Sequence, residues 1–213
     1  MKIDEKQLKA ISEIKKFHQI SEKEVKNLQI FVDLLLKFNQ QFNLIGKSTI
    51  DDIWNRHILD SAQLLKFIKN KDSVIGDFGA GAGFPGIVLS ILGVKEVHLI
   101  EKSYRKCEFL NLAKKTSPNN IVIHQRKVEE IKDLKFDILA SRAFAPLNEL
   151  FNFVKPFLKD SSQGIFLKGK NFQKEIDEAK KNHQFECESH PSLTSDESKI
   201  LLVGMLDHVN KEI

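Results

Sequence analysis

In "GDFGAGAGFPGI", from Gly76 to Ile87, Asp77 and the glycines Gly79, Gly81 and Gly83 alternate with apolar residues, directly after the apolar pair Val74 and Ile75. Glycine this dense lets a ligand approach the main chain closely. The spacing Gly81-x-Gly83-x-x-Gly86 satisfies the dinucleotide fingerprint, so a nicotinamide or flavin cofactor is one reading. Asp77 argues against it, because a carboxylate beside the turn repels the pyrophosphate that such a loop holds at its helix N-terminus. A cofactor with a cationic amino-acid end fits better, since its ammonium can be met by turn carbonyls and by Asp77, directly or through water. S-adenosylmethionine has that end. Glu101 closes "VHLIE" at a strand end, where an acidic side chain can accept both ribose hydroxyls of an adenosine. In "KVEEI", Val128 can pack on the adenine. Glu129 either approaches the adenine amino group or simply opens a short helix, where acids favour the dipole.

Other chemistries find less support. "GKST", Gly46 to Thr49, ends like a phosphate-binding loop, but Gln41 stands where the first glycine is required. The histidines show no metal-ligand spacing, and no Gly-x-Ser-x-Gly elbow is present, so neither a metal site nor a hydrolase is expected. Cys107 and Cys187 are the only cysteines and form no Cys-x-x-Cys pair, which speaks against a disulfide framework or thiolate zinc.

The elements that must position these residues change character once along the chain. From Met1 to Asn70 the apolar positions Leu28, Phe31, Val32, Leu35 and Leu36 fall three and four apart, a helical period. Beyond Val74, β-rich runs alternate with helical stretches. Strands are predicted at Val74–Phe78, Glu96–Glu101, Asn120–Gln125, Phe136–Ser141, Gly164–Lys168, Phe185–Ser189 and Lys199–Leu206. Helices are predicted at Gly86–Leu92, Tyr104–Thr116, near Val128, at Leu147–Leu158 and at Phe172–His183. Repeated strand-helix-strand units imply a doubly wound, mostly parallel α/β sheet. The short linker from Pro191 to Ser198 suits an antiparallel hairpin at its C-terminal edge. The expected organisation is a helical N-terminal extension over residues 1–70 on a domain over residues 71–213.

At 213 residues the chain suits one such unit. No stretch approaches the ~20 apolar residues that span a bilayer, and the charged start lacks a signal peptide's apolar segment, so a soluble cytoplasmic protein is expected. The net charge of +4 and a pI near 8.9 permit a polyanionic partner.

"GDFGAGAGFPGI", "SRAFAPLNEL" (Ser141 to Leu150), "FLKGK" (Phe166 to Lys170), "FNLIGK" and "RHILDS" (Arg56 to Ser61) resemble, in order and spacing from Phe38 to Lys170, the bacterial 16S ribosomal RNA (guanine-N7) methyltransferases, the RsmG or GidB family. The resemblance implies a Rossmann-like class I S-adenosylmethionine-dependent methyltransferase fold, with Gly79 and Phe84 contacting the cofactor, Val128 and Glu129 flanking its adenine, and Arg142 lining the site. Glu101 stands where many relatives carry Asp, and Lys127 replaces a common Arg. Guanine N7 has an available lone pair and no proton, so its methylation needs no general base and can rest on alignment. Arg142 and Lys168 are the candidates for holding guanine through O6 or steering its phosphate; each is alternatively an ordinary surface cation. Lys47, Arg56, Arg105, Lys106, Lys127 and Lys170 are expected to meet RNA phosphates, joined by Lys102 and Arg126, unless they form a dispersed solvated surface. His57 and Asp60 either orient one another near the site or make a local helix contact. The expected partner is 16S ribosomal RNA or the small ribosomal subunit, with no metal, no membrane and a monomeric state. A methyltransferase with another RNA or small-molecule acceptor, or a non-catalytic nucleotide-binding regulatory module, remains the alternative.

Overall fold

The computed structural model describes residues 5–208. Two helices open the chain, α1 (Glu5–Lys15) and α2 (Glu22–Asn39). Ser21 starts α2 with a capping box: its hydroxyl accepts the Glu24 amide at 3.2 Å, and the Glu24 carboxylate accepts the Ser21 amide at 2.7 Å. The three-four spacing then puts Leu28, Phe31, Val32 and Leu35 on one buried face. Helical turns follow from Lys47 to Phe67. They include a wide π-type turn over Trp54–Leu59 and the short α3 (Asp60–Ala62).

Seven strands form one sheet: β1 (Val74–Phe78), β2 (Glu96–Ile100), β3 (Asn120–His124), β4 (Phe136–Arg142), β5 (Leu158–Lys168), β6 (His183–Pro191) and β7 (Lys199–His208). Their order is β3-β2-β1-β4-β5-β7-β6, with β1 to β5 parallel and β7 antiparallel to both neighbours. The connecting helices are α4 (Gly86–Ile91), α5 (Tyr104–Ala113), α6 (Leu147–Val154) and α7 (Phe172–Ala179). The architecture is the mostly parallel seven-stranded sheet with an antiparallel edge hairpin that the alternation of patterns predicts.

Period-two alternation divides the strands between two cores. Ile75, Ile138, Ala140, Ile165 and Leu167 belong to an apolar cluster that also contains α2, the helical turns and α4. Phe78, Leu139 and Phe166 belong to the other, with α6 and α7. Phe31 of α2 lies 5.3 Å from Phe84 in the glycine loop and 6.3 Å from Phe109 of α5, so α2 supports that loop directly.

Several boundaries differ from expectation, and two of them have a plain physical reason. β5 begins at Leu158 rather than Gly164, with the pairing jumping from Phe136↔Leu158 to Ile138↔Gln163. The polar run Lys159 to Gln163 carries no strand pattern; it is held by Ser162, whose hydroxyl donates to the Phe136 carbonyl at 2.6 Å. The last helix ends at Ala179, four residues early, because His183 is already paired in β6.

Candidate active site

The sheet order reverses between β1 and β4, and the carboxyl ends of these strands lie side by side, with Phe78 paired to Ser141. The glycine loop springs from that point. The Gly79 and Ala80 amides donate to the Ile100 carbonyl at 3.0 and 3.1 Å, which ties the loop to the end of β2. Gly79, Gly81 and Gly83 all have positive φ, at 72, 56 and 84°. At Gly81 a Cβ would meet only the Gly79 carbonyl oxygen at 3.7 Å, so the main chain there is open to a ligand. Gly79 is covered instead by the Phe144 ring.

Asp77 lies beneath the loop. It is fully buried, its Oδ2 accepts the Gly86 amide at 2.8 Å, and its Oδ1 has no hydrogen-bond partner among the described residues. Burial pushes its carboxyl up to about 7; the Gly86 hydrogen bond and the Arg142 charge oppose that rise without cancelling it.

Two cavities flank the loop. The smaller, 520 Å³, is lined by Gly79, Glu101, Lys106, Lys127, Val128, Glu129 and Phe144. Glu101 is held in place by two backbone donors, the Ser103 amide on Oε1 at 2.8 Å and the Gly81 amide on Oε2 at 3.1 Å. The larger, 710 Å³, shares Gly79, Lys106 and Phe144 with it and adds Gly81, Phe84, Arg56, His57, Asp60, Arg142, Lys168 and Glu175.

Arg142 organises one wall of the larger cavity. Its Nη1 donates to the Arg56 carbonyl at 3.1 Å and to Asp60 Oδ2 at 3.3 Å, and its Nη2 donates to His57 Nδ1 at 2.8 Å. The guanidinium also sits 4.9 Å from the centre of the Phe84 ring, on which His57 stacks at the same distance. An arginine can only donate, so His57 Nδ1 accepts and Nε2 carries the proton toward Thr49 Oγ1, 2.8 Å away. Burial, then the Arg142 and Arg56 charges, push the imidazole down to about 3, and it is neutral at physiological pH. Asp60 Oδ1 accepts from Gln63 Nε2 at 3.0 Å and from Thr194 Oγ1, in the β6–β7 connection, at 2.6 Å.

Lys168 forms the opposite wall. Its Nζ donates to the Ala145 carbonyl at 2.6 Å and to Glu175 Oε2 at 2.7 Å, and the same oxygen accepts the Leu147 amide that begins α6.

The structure therefore brings Gly79, Gly81, Phe84, Glu101, Val128, Glu129, Arg142, Lys168, Arg56, Lys106 and Lys127 onto the cavity walls. Asp77 and Gly83 line neither cavity. Lys47, Arg105 and Lys170 are exposed and stand outside both, with Arg105 packed 5.5 Å from the Phe42 ring. Thr49, Gln63, Thr194 and Glu175 are contributors that sequence reasoning missed. Thr49 belongs to "GKST", which spacing alone discards as a false phosphate loop. Glu175 lies on α7, and Gln63 and Thr194 in a helical turn and a loop, where no motif marks them. No group of three or more His, Cys, Asp or Glu residues that could hold a metal occurs among the described residues.

Comparison with known proteins adds relatives to this geometry. The family model for rRNA small subunit methyltransferase G, GidB, matches residues 24–201. The ribosomal RNA small subunit methyltransferase G of Rickettsia felis is 45% identical over 185 residues, covering 87% of this chain and 95% of the relative. Among solved structures, a ribosomal protein L11 methylase from Lactobacillus delbrueckii subsp. bulgaricus has a TM-score of 0.58 at 18% identity, covering 70% of this chain and 78% of the other. A MtNAS variant solved in complex with S-adenosylmethionine also has a TM-score of 0.58, at 15% identity, covering 84% and 74%. These two share the fold of the sheet. The match across the glycine loop, the Arg142 strand end and the Lys168 strand end places this chain in the rRNA small subunit methyltransferase G family.

Proposed function

We propose that the protein is an S-adenosylmethionine-dependent methyltransferase that transfers a methyl group to N7 of a guanine in 16S ribosomal RNA. The observation that carries this reading is the pair of cavities meeting at Gly79. One is lined by Glu101, Val128 and Glu129, groups suited to an adenosine, and the other is walled by Arg142 and Lys168. The residues fit the cofactor: the unpartnered Asp77 Oδ1 beneath the loop is an acceptor for an ammonium reached directly or through water, and Glu101 is already oriented by the Gly81 and Ser103 amides to receive ribose hydroxyls. When bound, the cofactor supplies an electrophilic methyl group on a positively charged sulfur.

The chain's own residues align rather than activate. Guanine N7 presents a lone pair without a proton, and both His57 ring nitrogens are already engaged, so the imidazole is a structural support and not a base. Arg142 and Lys168 bound the space a guanine would fill and offer cations to its O6 and adjoining phosphate. Arg56, Lys106 and Lys127 on the cavity rims, with exposed Lys47, Arg105 and Lys170 outside them, are the proposed phosphate contacts. The partner on this reading is 16S RNA within the small ribosomal subunit, met by a monomer in the cytoplasm, without a metal. No described helix is long and apolar enough to cross a membrane.

Mapping 7-methylguanosine in 16S RNA from cells with and without the gene tests the reading. One such nucleotide should disappear with the gene, and purified protein should restore it on the unmodified particles; an unchanged pattern would overturn the assignment.

A further inference from the structure

We propose that Glu175, paired with Lys168, is the group that selects guanine in the larger cavity, its Oε1 accepting from guanine N1–H and N2–H while Lys168 donates to O6. The proposal rests on the guanine-N7 reading above. Asp60 and Glu175 are the two carboxylates on the described walls of that cavity. Asp60 is committed at both oxygens, to Arg142 through Oδ2 and to Gln63 and Thr194 through Oδ1. Glu175 uses only Oε2, which takes the Lys168 ammonium at 2.7 Å and the Leu147 amide at 2.9 Å; its Oε1 has no hydrogen bond among the described residues. Lys168 in turn spends two of its three N–H groups, on Ala145 and Glu175.

The wall thus presents one spare donor beside one spare acceptor. Guanine shows the complement, the O6 acceptor beside the N1–H and N2–H donors. Adenine shows the reverse order, an amino donor beside an N1 acceptor, and would set donor against donor and acceptor against acceptor. Holding O6 also fixes the neighbouring N7, which borders O6 on the purine. The side chains of Lys168 and Glu175 are 9% and 24% exposed. Their charges cancel, so docking a neutral base against them buries no net charge. The backbone bonds from Glu175 to Leu147 and from Lys168 to Ala145 hold both groups in place before the base arrives.

The test compares small ribosomal subunits reconstituted with guanosine or inosine, which lacks the N2 amine, at the nucleotide located by mapping. Single-turnover methyl transfer is measured at saturating S-adenosylmethionine, with cofactor affinity measured separately by calorimetry. For the wild-type protein, inosine should slow transfer about tenfold, the cost of one lost hydrogen bond to a charged group. In Glu175→Gln the amide oxygen takes over the Lys168 and Leu147 bonds, which turns the amide NH2 toward the base donors. Transfer to guanosine should then fall about 100-fold with cofactor affinity unchanged, and the preference for guanosine over inosine should vanish. Wild-type transfer that is equal on the two particles overturns the assignment whether or not the variant folds. So does a variant that loses rate but keeps the wild-type preference, the result expected of a merely structural Glu175. Absence of transfer to the guanosine particle by the wild-type protein would instead overturn the guanine-N7 reading itself.

Discussion

Asp77 combines complete burial with a spare oxygen, and its titration is the most direct handle on the cofactor loop. Its folded value of about 7 lies above the ordinary 3.8, so its contribution to stability is full below about 3.8 and is lost as pH rises through about 7. An ammonium brought beside it favours the ionised form and reverses that cost. S-adenosylmethionine affinity should therefore rise about eightfold between about pH 6 and about pH 7.5, with proton release. Calorimetry in two buffers of different ionisation enthalpy measures both, and Asp77→Asn should bind weakly with the pH dependence gone. His57 does not confuse the experiment, because it titrates near 3. Arg142 is the second handle. Both of its terminal nitrogens are engaged, which fixes the guanidinium in the wall of the larger cavity. Arg142→Ala should lower single-turnover methylation about 100-fold while cofactor affinity changes less than about threefold, and Arg142→Lys should rescue poorly because an ammonium cannot reproduce the planar fork. The placement of Asp77, Glu101 and Arg142 at or near strand ends around the glycine loop was legible in the sequence, because a carboxylate or cation at fixed distance from such a loop is a local pattern. The fixed orientation of Arg142 was not: it depends on Asp60, 82 residues away, and on a tautomer of His57 that spacing does not encode.

At the scale of elements, the connection between β6 and β7 does more than turn the chain. Thr194 donates to Asp60 and the Leu193 amide donates to Gln63 Oε1 at 2.7 Å, so the hairpin is fastened to the helical turns that carry Arg56 and His57. Thr194→Val keeps the shape but removes the donor, at a cost of about 1 kcal/mol. Methyl transfer should fall about fivefold, consistent with a loss of that size, while cofactor affinity stays constant, since Thr194 lines only the larger cavity; single-turnover assays and calorimetry check the two. Strand identities were readable because parallel strands buried on both faces are rich in Val, Ile and Leu, and Phe136 to Ser141 and Gly164 to Lys168 carry that signature. The first residues of β5 were not readable, because Lys159 to Gln163 enter the sheet through a bulge held by Ser162 rather than by apolar side chains. The π-type turn at Trp54–Leu59 was equally invisible, since a helical period does not reveal one extra residue in a turn.

Over the whole molecule, the modest net charge of +4 says little, whereas its placement says more. Cations gather where the two cavities open. Affinity for unmodified small subunits should fall steeply with salt, and Arg105→Glu, outside both cavities, should lower the slope of log affinity against log salt by about one phosphate contact, ~0.7, without altering cofactor binding. Filter binding across a salt series measures the slope; an unchanged slope would remove Arg105 from the RNA face. The N-terminal extension was legible as helical, but its packing was not, since only the structure shows Phe31 resting on Phe84 and the apolar cluster running from α2 into the sheet. The chain of hydrogen bonds from Thr194 through Asp60 and Arg142 to His57 and Thr49 also imposes an order in time. Thr49 through Arg142 leave the ribosome well before Thr194, so a growing chain can complete the glycine loop while the wall opposite Lys168 still lacks its fastening. The Arg142 wall therefore receives its Thr194 fastening only after the β6–β7 connection has been made.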